Sequence, residues 1–196
     1  MKIALIGSTG FFGSRILAEA QRRSLLVTSI LHSEADVLSP RQMAPMISGN
    51  DVVVSAFRSR LKPELAADAA RSLLAAVTEA RVGRLIIVGG AGSLEASPGL
   101  LLIDTPEFPV AYAADARAQI EALGVLRAES HVEWTYLSPA AEVVSGERTG
   151  AFRLGADILL RDASGNSVIS VEDCAFALMD EVEHPQHSRR RFTIAY

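Results

Sequence analysis

A short, almost unbroken apolar run, Lys2-Ile3-Ala4-Leu5-Ile6, stands directly ahead of Gly7, Gly10 and Gly13, and no other feature constrains the chain as much. Such a run reads as a parallel strand buried on both faces. The residues after it place Phe12, Ile16 and Ala20 on one side of an amphipathic helix. Strand, glycine turn and helix in this order form the context of a dinucleotide-binding loop. Gly7 allows the sharp turn off the strand. Gly10 lets a pyrophosphate approach the backbone, and Gly13 lets the helix pack closely on the strand. The first helical N–H groups and the positive end of the helix dipole then face the phosphates. The spacing is G-x-x-G-x-x-G rather than the tighter G-x-G-x-x-G. A glycine turn that binds nothing is the plainer alternative, but its place straight after a buried strand favours the nucleotide.

With 196 residues, 49% of them hydrophobic, the chain suits one α/β domain spanning 1–196 with a sizeable core. No apolar run approaches the ~20 residues needed to cross a bilayer. A strand beginning at Lys2 is expected to leave no room for a signal peptide. The single cysteine, Cys174, excludes an internal disulfide and fits a reducing, cytoplasmic setting. A formal net charge of −4 gives no electrostatic reason to expect nucleic acid or a membrane surface as partner, and the oligomeric state stays open. Four scattered histidines and one cysteine lack metal-ligand spacing, so no metal is expected. Neither a hydrolase G-x-S-x-G elbow nor a G-x-x-x-x-G-K-[ST] phosphate loop is present.

A second strand is predicted over about Leu25–Leu31. Its end would meet the adenosine ribose, where an acidic residue about 20 positions past the glycines binds the 2′-hydroxyl and a basic one a 2′-phosphate. Glu34 and Asp36 are the acidic candidates, which leans toward NAD; a solvated turn is the alternative for both. His32 is either a surface residue or a cofactor contact. Ser39-Pro40-Arg41-Gln42 reads as a capped helix start, and Pro45 should distort that helix or cut it short. Asp51–Ala56 is a further buried strand. Ala56 and Phe57 at its end would border the adenosine side, with Arg58 and Arg60 as phosphate contacts or plain surface arginines.

Pro63 opens a long helix with Leu65, Ala69, Leu73, Ala76, Val77 and Ala80 as its apolar stripe. The strand Leu85–Val88 leads into Gly89-Gly90-Ala91-Gly92-Ser93, a second glycine-rich turn at a strand's C-terminal end, where ligands of open α/β sheets bind. Leu94–Val110 reads as an irregular loop, and a helix follows Tyr112. Val132–Leu137 is another strand, ending at Ser138-Pro139-Ala140-Ala141. Residues Glu142–Asn166 read as loops with one or two small strands. Substrate-side loops are thus expected at about 89–111 and 139–170. Ser170 caps a last helix that buries Cys174. Arg190–Ala195 closes the chain as a strand, and Arg189-Arg190-Arg191 reads as its solvated start, with an anion site as the alternative. His131 falls in a loop at the other end of the sheet.

Lys2–Gly13, Asp51–Phe57, Arg84–Leu94, Asp104–Tyr112, Trp134–Ala141, Glu147–Gly155 and Ile169–Tyr196 together resemble the bacterial NADH-flavin reductases. These are atypical short-chain-dehydrogenase-like proteins, more distantly related to biliverdin reductase B and to NmrA-like regulators. Gly89–Leu94, Asp104–Pro109 and Trp134–Pro139 are the more specific segments. The resemblance implies a Rossmann-like, doubly wound parallel sheet, binding of NAD or NADP, and electron transfer from the reduced form to FMN, FAD, riboflavin or another small-molecule acceptor. Carried onto this chain, it implies that Gly7, Ser8, Thr9, Gly10, Phe11, Phe12 and Gly13 hold the pyrophosphate. Gly90, Gly92 and Ser93 would approach the nicotinamide ribose, and Ser138, Pro139 and Ala140 would pack near the nicotinamide. Ser93 is the best hydrogen-bonding candidate for catalysis. Tyr112 is either a wall of the acceptor pocket or a cover for the helix start.

Two departures stand out. The segment between the second strand and Asp36-Val37 is short, with a connecting helix missing there. The Tyr-x-x-x-Lys pair of typical short-chain dehydrogenases is absent, since Ala116 follows Tyr112 four positions on. Alcohol–ketone chemistry through an activated tyrosine is therefore disfavoured, whereas direct hydride transfer to a flavin needs no such pair. A non-catalytic sensor of the NAD(P) redox state is the alternative.

Overall fold

The apolar run forms β1 (Lys2–Ile6), and α1 (Phe11–Arg22) follows the glycine turn. The computed structural model describes residues 1–31, 33–59 and 61–196. Successive side chains of β1 go to opposite sides, as a strand requires. Ile3 and Leu5 pack toward α1 and α5 (Val171–Glu183), while Ala4 and Ile6 join the layer of α2 (Pro40–Ile47), α3 (Leu65–Ala80) and α4 (Ala113–Arg127). Both faces of the sheet are covered, which is why its strands read as continuous apolar runs rather than alternating ones.

The remaining strands are β2 (Leu26–Ile30), β3 (Val52–Ser55), β4 (Arg84–Val88), β5 (Glu95–Ser97), β6 (Leu100–Leu101), β7 (Glu133–Ser138), β8 (Glu142–Val144), β9 (Arg153–Gly155), β10 (Val168–Ser170) and β11 (Arg190–Ala195). The main sheet has seven strands in the order β2-β1-β3-β4-β7-β11-β9, all parallel except β9, which runs antiparallel along β11. This is the Rossmann-like, doubly wound α/β arrangement expected from the sequence. One difference is topological. In the 3-2-1-4-5-6 dinucleotide order a strand lies outside the second one. Here β2 is the edge, and the chain returns through α2 straight to β3 on the far side of β1. The described residues between β2 and Asp36 hold no helix, in line with the short segment there.

Local details amend several expectations. Pro40 does open α2, but Ser39 makes no side-chain cap; the Gln42 side chain instead accepts the Asp36 N–H at 3.0 Å. Pro45 lies inside this helix, which stops after eight residues. Pro63 sits in the turn ahead of α3 rather than inside it. The stretch 94–110 is not irregular throughout, because β5 and β6 pair as a small antiparallel hairpin followed by a 3-10 turn at Leu102–Asp104. Ser170 caps α5 as expected, its Oγ accepting the Asp173 N–H at 3.0 Å. Cys174 is fully buried, and burial pushes its thiol pKa up.

Trp134 and Tyr136 of β7 sit in the α2–α3–α4 layer, the Tyr136 hydroxyl donating to the Gln119 carbonyl at 3.0 Å. Two ionic clusters hold the other layer and the N-terminal edge of the sheet. Glu19 of α1, itself buried, receives Arg23 and Arg148 at 2.8 and 2.7 Å. Arg84 of β4 pairs with Glu181 of α5, which also takes the His187 ring at 2.7 Å. Arg191 corrects the reading of the triple arginine as solvated: Arg189 and Arg190 are exposed, but Arg191 is buried.

Candidate functional site

The strand order reverses between β1 and β3, and the glycine turn stands at that switch point, where open α/β sheets bind ligands. Gly7 has φ +82°, and a Cβ there would lie 2.9 Å from the Ala56 carbonyl oxygen at the end of β3. Only glycine lets the two strand ends come this close. A Cβ on Gly13 would sit 1.9 Å from the Gly7 carbonyl oxygen, so the start of α1 rests directly on the turn. Gly10 differs, because its Cβ would meet nothing nearer than that same oxygen at 3.4 Å. Above it the backbone is open to solvent. Gly10 donates to Gly7, but the N–H groups of Phe11, Phe12 and Gly13 have no acceptor among the described residues, and no side chain caps the helix. Unspent amides at the positive end of a twelve-residue helix fit an anion such as a pyrophosphate.

A cleft of ≈ 450 Å³ extends from this turn. Its floor is Gly7, Ser8 and Thr9; one wall is Ile30 and Leu31 with Ala35–Leu38, and the other is Phe57, Arg58 and Ser59 with Lys62. Apolar sides with a few polar groups suit a purine and its ribose. Of the acidic candidates, Asp36 lines the cleft, its carboxylate accepting the Leu38 N–H at 3.0 Å. Glu34 accepts the Leu31 N–H at 2.8 Å. Both carboxylates thus brace the turn after β2, and the cations that line the cleft come from the β3 side. His32 and Arg60 lie outside the described residues.

The second glycine turn follows β4. A Cβ on Gly89 would overlap the Tyr136 ring at 1.9 Å, and one on Gly92 would lie 2.8 Å from the Ala116 Cβ in α4. The Ala116 methyl therefore keeps position 92 a glycine, and Ala116 is itself buried, a poor place for a lysine ammonium. Gly90 lies beside Arg58, whose Nε donates to Asp115 in the first turn of α4 at 3.0 Å and whose Nη1 reaches the Gly89 carbonyl at 3.4 Å. Arg58 so bridges the ends of β3 and β4 to α4. Tyr112, at the start of α4, is 64% exposed. Ser93 is half-buried, and its Oγ accepts Arg191 Nη1 at 2.7 Å. Ser138 and Ala140 are buried at and just past the end of β7, and Ala140 packs toward the α1–α5 layer.

The fold thus gathers the first glycine turn, Ala56 and Phe57 at the switch point, with the Gly90–Ser93 turn one strand beyond β3. The sequence reading of Arg191 as solvated or an anion site missed its contacts with Ser93 and Asp157. The available signal was strand alternation: Arg191 faces opposite to Phe192 and Ile194, hence into a covered layer. No group of three or more His, Cys, Asp or Glu able to hold a metal occurs among the described residues.

A mostly parallel, doubly covered sheet with an open-amide glycine turn at its switch point defines a Rossmann-like dinucleotide-binding protein. The chain belongs to the NAD(P)H-binding family, whose model matches residues 7–185. The uncharacterized protein YwnB of Bacillus subtilis is 40% identical over 208 residues, covering 99% of this chain and 98% of that one. A Bacteroides thetaiotaomicron protein provisionally named an epimerase is 39% identical with a TM-score of 0.93, over 100% of this chain and 96% of that one. A Streptococcus pneumoniae protein provisionally named an NADH-flavin reductase is 31% identical with a TM-score of 0.89, over 100% and 99% of the two chains.

Proposed function

We propose that the protein is an NAD(P)H-dependent reductase that passes hydride directly to a flavin or similar small planar acceptor. The observation that carries this reading is the pairing of an open phosphate cradle at Gly10 with an α4 whose position 116 is a buried alanine beside Gly92. The likeness to the Streptococcus pneumoniae protein supports the same acceptor class. The reduced dinucleotide would supply the hydride. The chain's own part is to hold and orient. The Phe11–Gly13 amides would take the pyrophosphate, the cleft beside Phe57 and Leu38 the adenosine, and the turn Gly90–Ser93 the nicotinamide side. Proximity and orientation of this kind are worth ~7–11 kcal/mol of barrier. No activated tyrosine is required, because solvent supplies the proton that completes reduction of the acceptor.

The test is oxidation of NADH and NADPH by the purified protein with riboflavin, FMN or a quinone. Dinucleotide loss that depends on enzyme and acceptor is expected. Tight binding without turnover on any of them would overturn the reductase reading and leave a redox sensor.

A further inference from the structure

The Arg191 side chain is only 3% exposed, and the loop it touches has ties of its own. That loop is already tied by backbone hydrogen bonds, Leu94 to Ala91, Ile103 to Gly92, Leu102 to Leu94 and Glu95 to Asp157, all between 2.8 and 3.1 Å. What Arg191 adds falls on one residue. Its Nη1 donates to the Ser93 Oγ at 2.7 Å and to the Ser93 carbonyl at 3.1 Å, while Nη2 is held by Asp157. A hydroxyl has one hydrogen and two lone pairs. With a lone pair taken by a fixed cation, the hydrogen of Ser93 must point elsewhere, and the adjacent charge makes it a stronger donor.

A second observation concerns the ground behind Ser93. Buried side-chain polar atoms normally find partners. Of the four that have none among the described residues, Arg191 Nε, Ser138 Oγ and Thr193 Oγ1 lie together on β7 and β11. Thr193 and Ser138 are register neighbours, and Arg191 shares the face of Thr193 two residues earlier. Hydrogen-bonding capacity is therefore left unspent in the layer that Ser93 borders.

We propose that Arg191 is a positioning residue that fixes Ser93 as the hydrogen-bond donor to the polar ring edge of the reducible substrate. The proposal rests on the reductase reading above. Its test is a double-mutant cycle on NADPH–FMN turnover, joined to a crystallographic comparison. R191M is expected to lower kcat on the order of tenfold to hundredfold, with KM little changed. S93A should cost a similar factor, and R191M in the S93A background should cost almost nothing further. R191K, which keeps the charge, should recover part of the loss. Equal losses from R191M with and without the Ser93 hydroxyl would overturn the proposal, since Arg191 would then act on the loop as a whole. R191K replaces R191M in the cycle if the latter fails to fold. In crystals of R191M with NADPH, the Ser93 Oγ should leave its wild-type rotamer; an unmoved Oγ overturns the proposal without reference to turnover. Failure of the wild-type protein to reduce any flavin would instead sink the acceptor class, and the position of Ser93 in those crystals would still decide the role of Arg191.

Discussion

A branched side chain at Gly10 would rise into the space above the α1 amides, because only the Gly7 carbonyl oxygen lies within reach of its Cβ. Gly10→Val is therefore expected to weaken dinucleotide binding more than about tenfold, ~1.4 kcal/mol, in a calorimetric titration. Its fold should survive with a loss of about 1 kcal/mol, the scale of a poor N-cap. Gly13→Ala should behave differently. Its methyl would collide with the Gly7 carbonyl oxygen, so stability should fall by about 1–3 kcal/mol in denaturant melts together with binding. The sharp turn at Gly7 and the close seat of the helix on Gly13 were legible in the sequence, because a missing Cβ is itself a sequence fact. For Arg191 the alternation along β11 was legible inside the run of three, but the closure of Ser93 and Asp157 over its side chain, from segments about 98 and 34 residues away, was not.

At the level of elements, α5 is held at both ends by groups that can be removed singly. Ser170→Ala should cost about 1 kcal/mol through the lost cap, read by thermal melting. Arg84 and Glu181 join β4 to the far end of α5, both nearly excluded from solvent. Glu181→Ala strands the arginine and should cost about 3–5 kcal/mol at neutral pH. Burial alone would raise the Glu181 carboxyl, but hydrogen bonds from His187, Gln186 and Arg84 hold it below its ordinary 4.5. The folded pKa lies under the unfolded one, so this stabilisation is present above about 4.5 and is lost as pH falls through the folded value. Denaturant melts should show the gap between wild type and Glu181→Ala narrowing on acidification. The main helices were readable from their apolar stripes and the main strands from their unbroken apolar runs. The β5–β6 hairpin was not, since strands of three and two residues carry no period. The place of β2 at the edge was not readable either, because strand order is decided by packing across the sheet.

At the scale of the whole molecule, the β1–β3 switch point lies inside the seven-stranded sheet that both helix layers cover, so a ligand seated there is coupled to folding of the core. A dinucleotide that binds only the folded chain should raise stability by about 2.7 kcal/mol at a hundred times its Kd. Parallel thermal shifts with NAD and NADP would show what the cations beside the cleft contribute to a 2′-phosphate. No helix among the described residues is long and apolar enough to cross a membrane. The chain has a single tryptophan, Trp134, and it is 3% exposed in the layer beneath α3 and α4. That lone indole is a built-in optical reporter. Its emission should redden only when the interior opens, and it should dim by energy transfer when a reduced nicotinamide, which absorbs where indole emits, binds at the opposite end of the sheet. Arrival of the coenzyme could then be followed by light alone, before any acceptor is known.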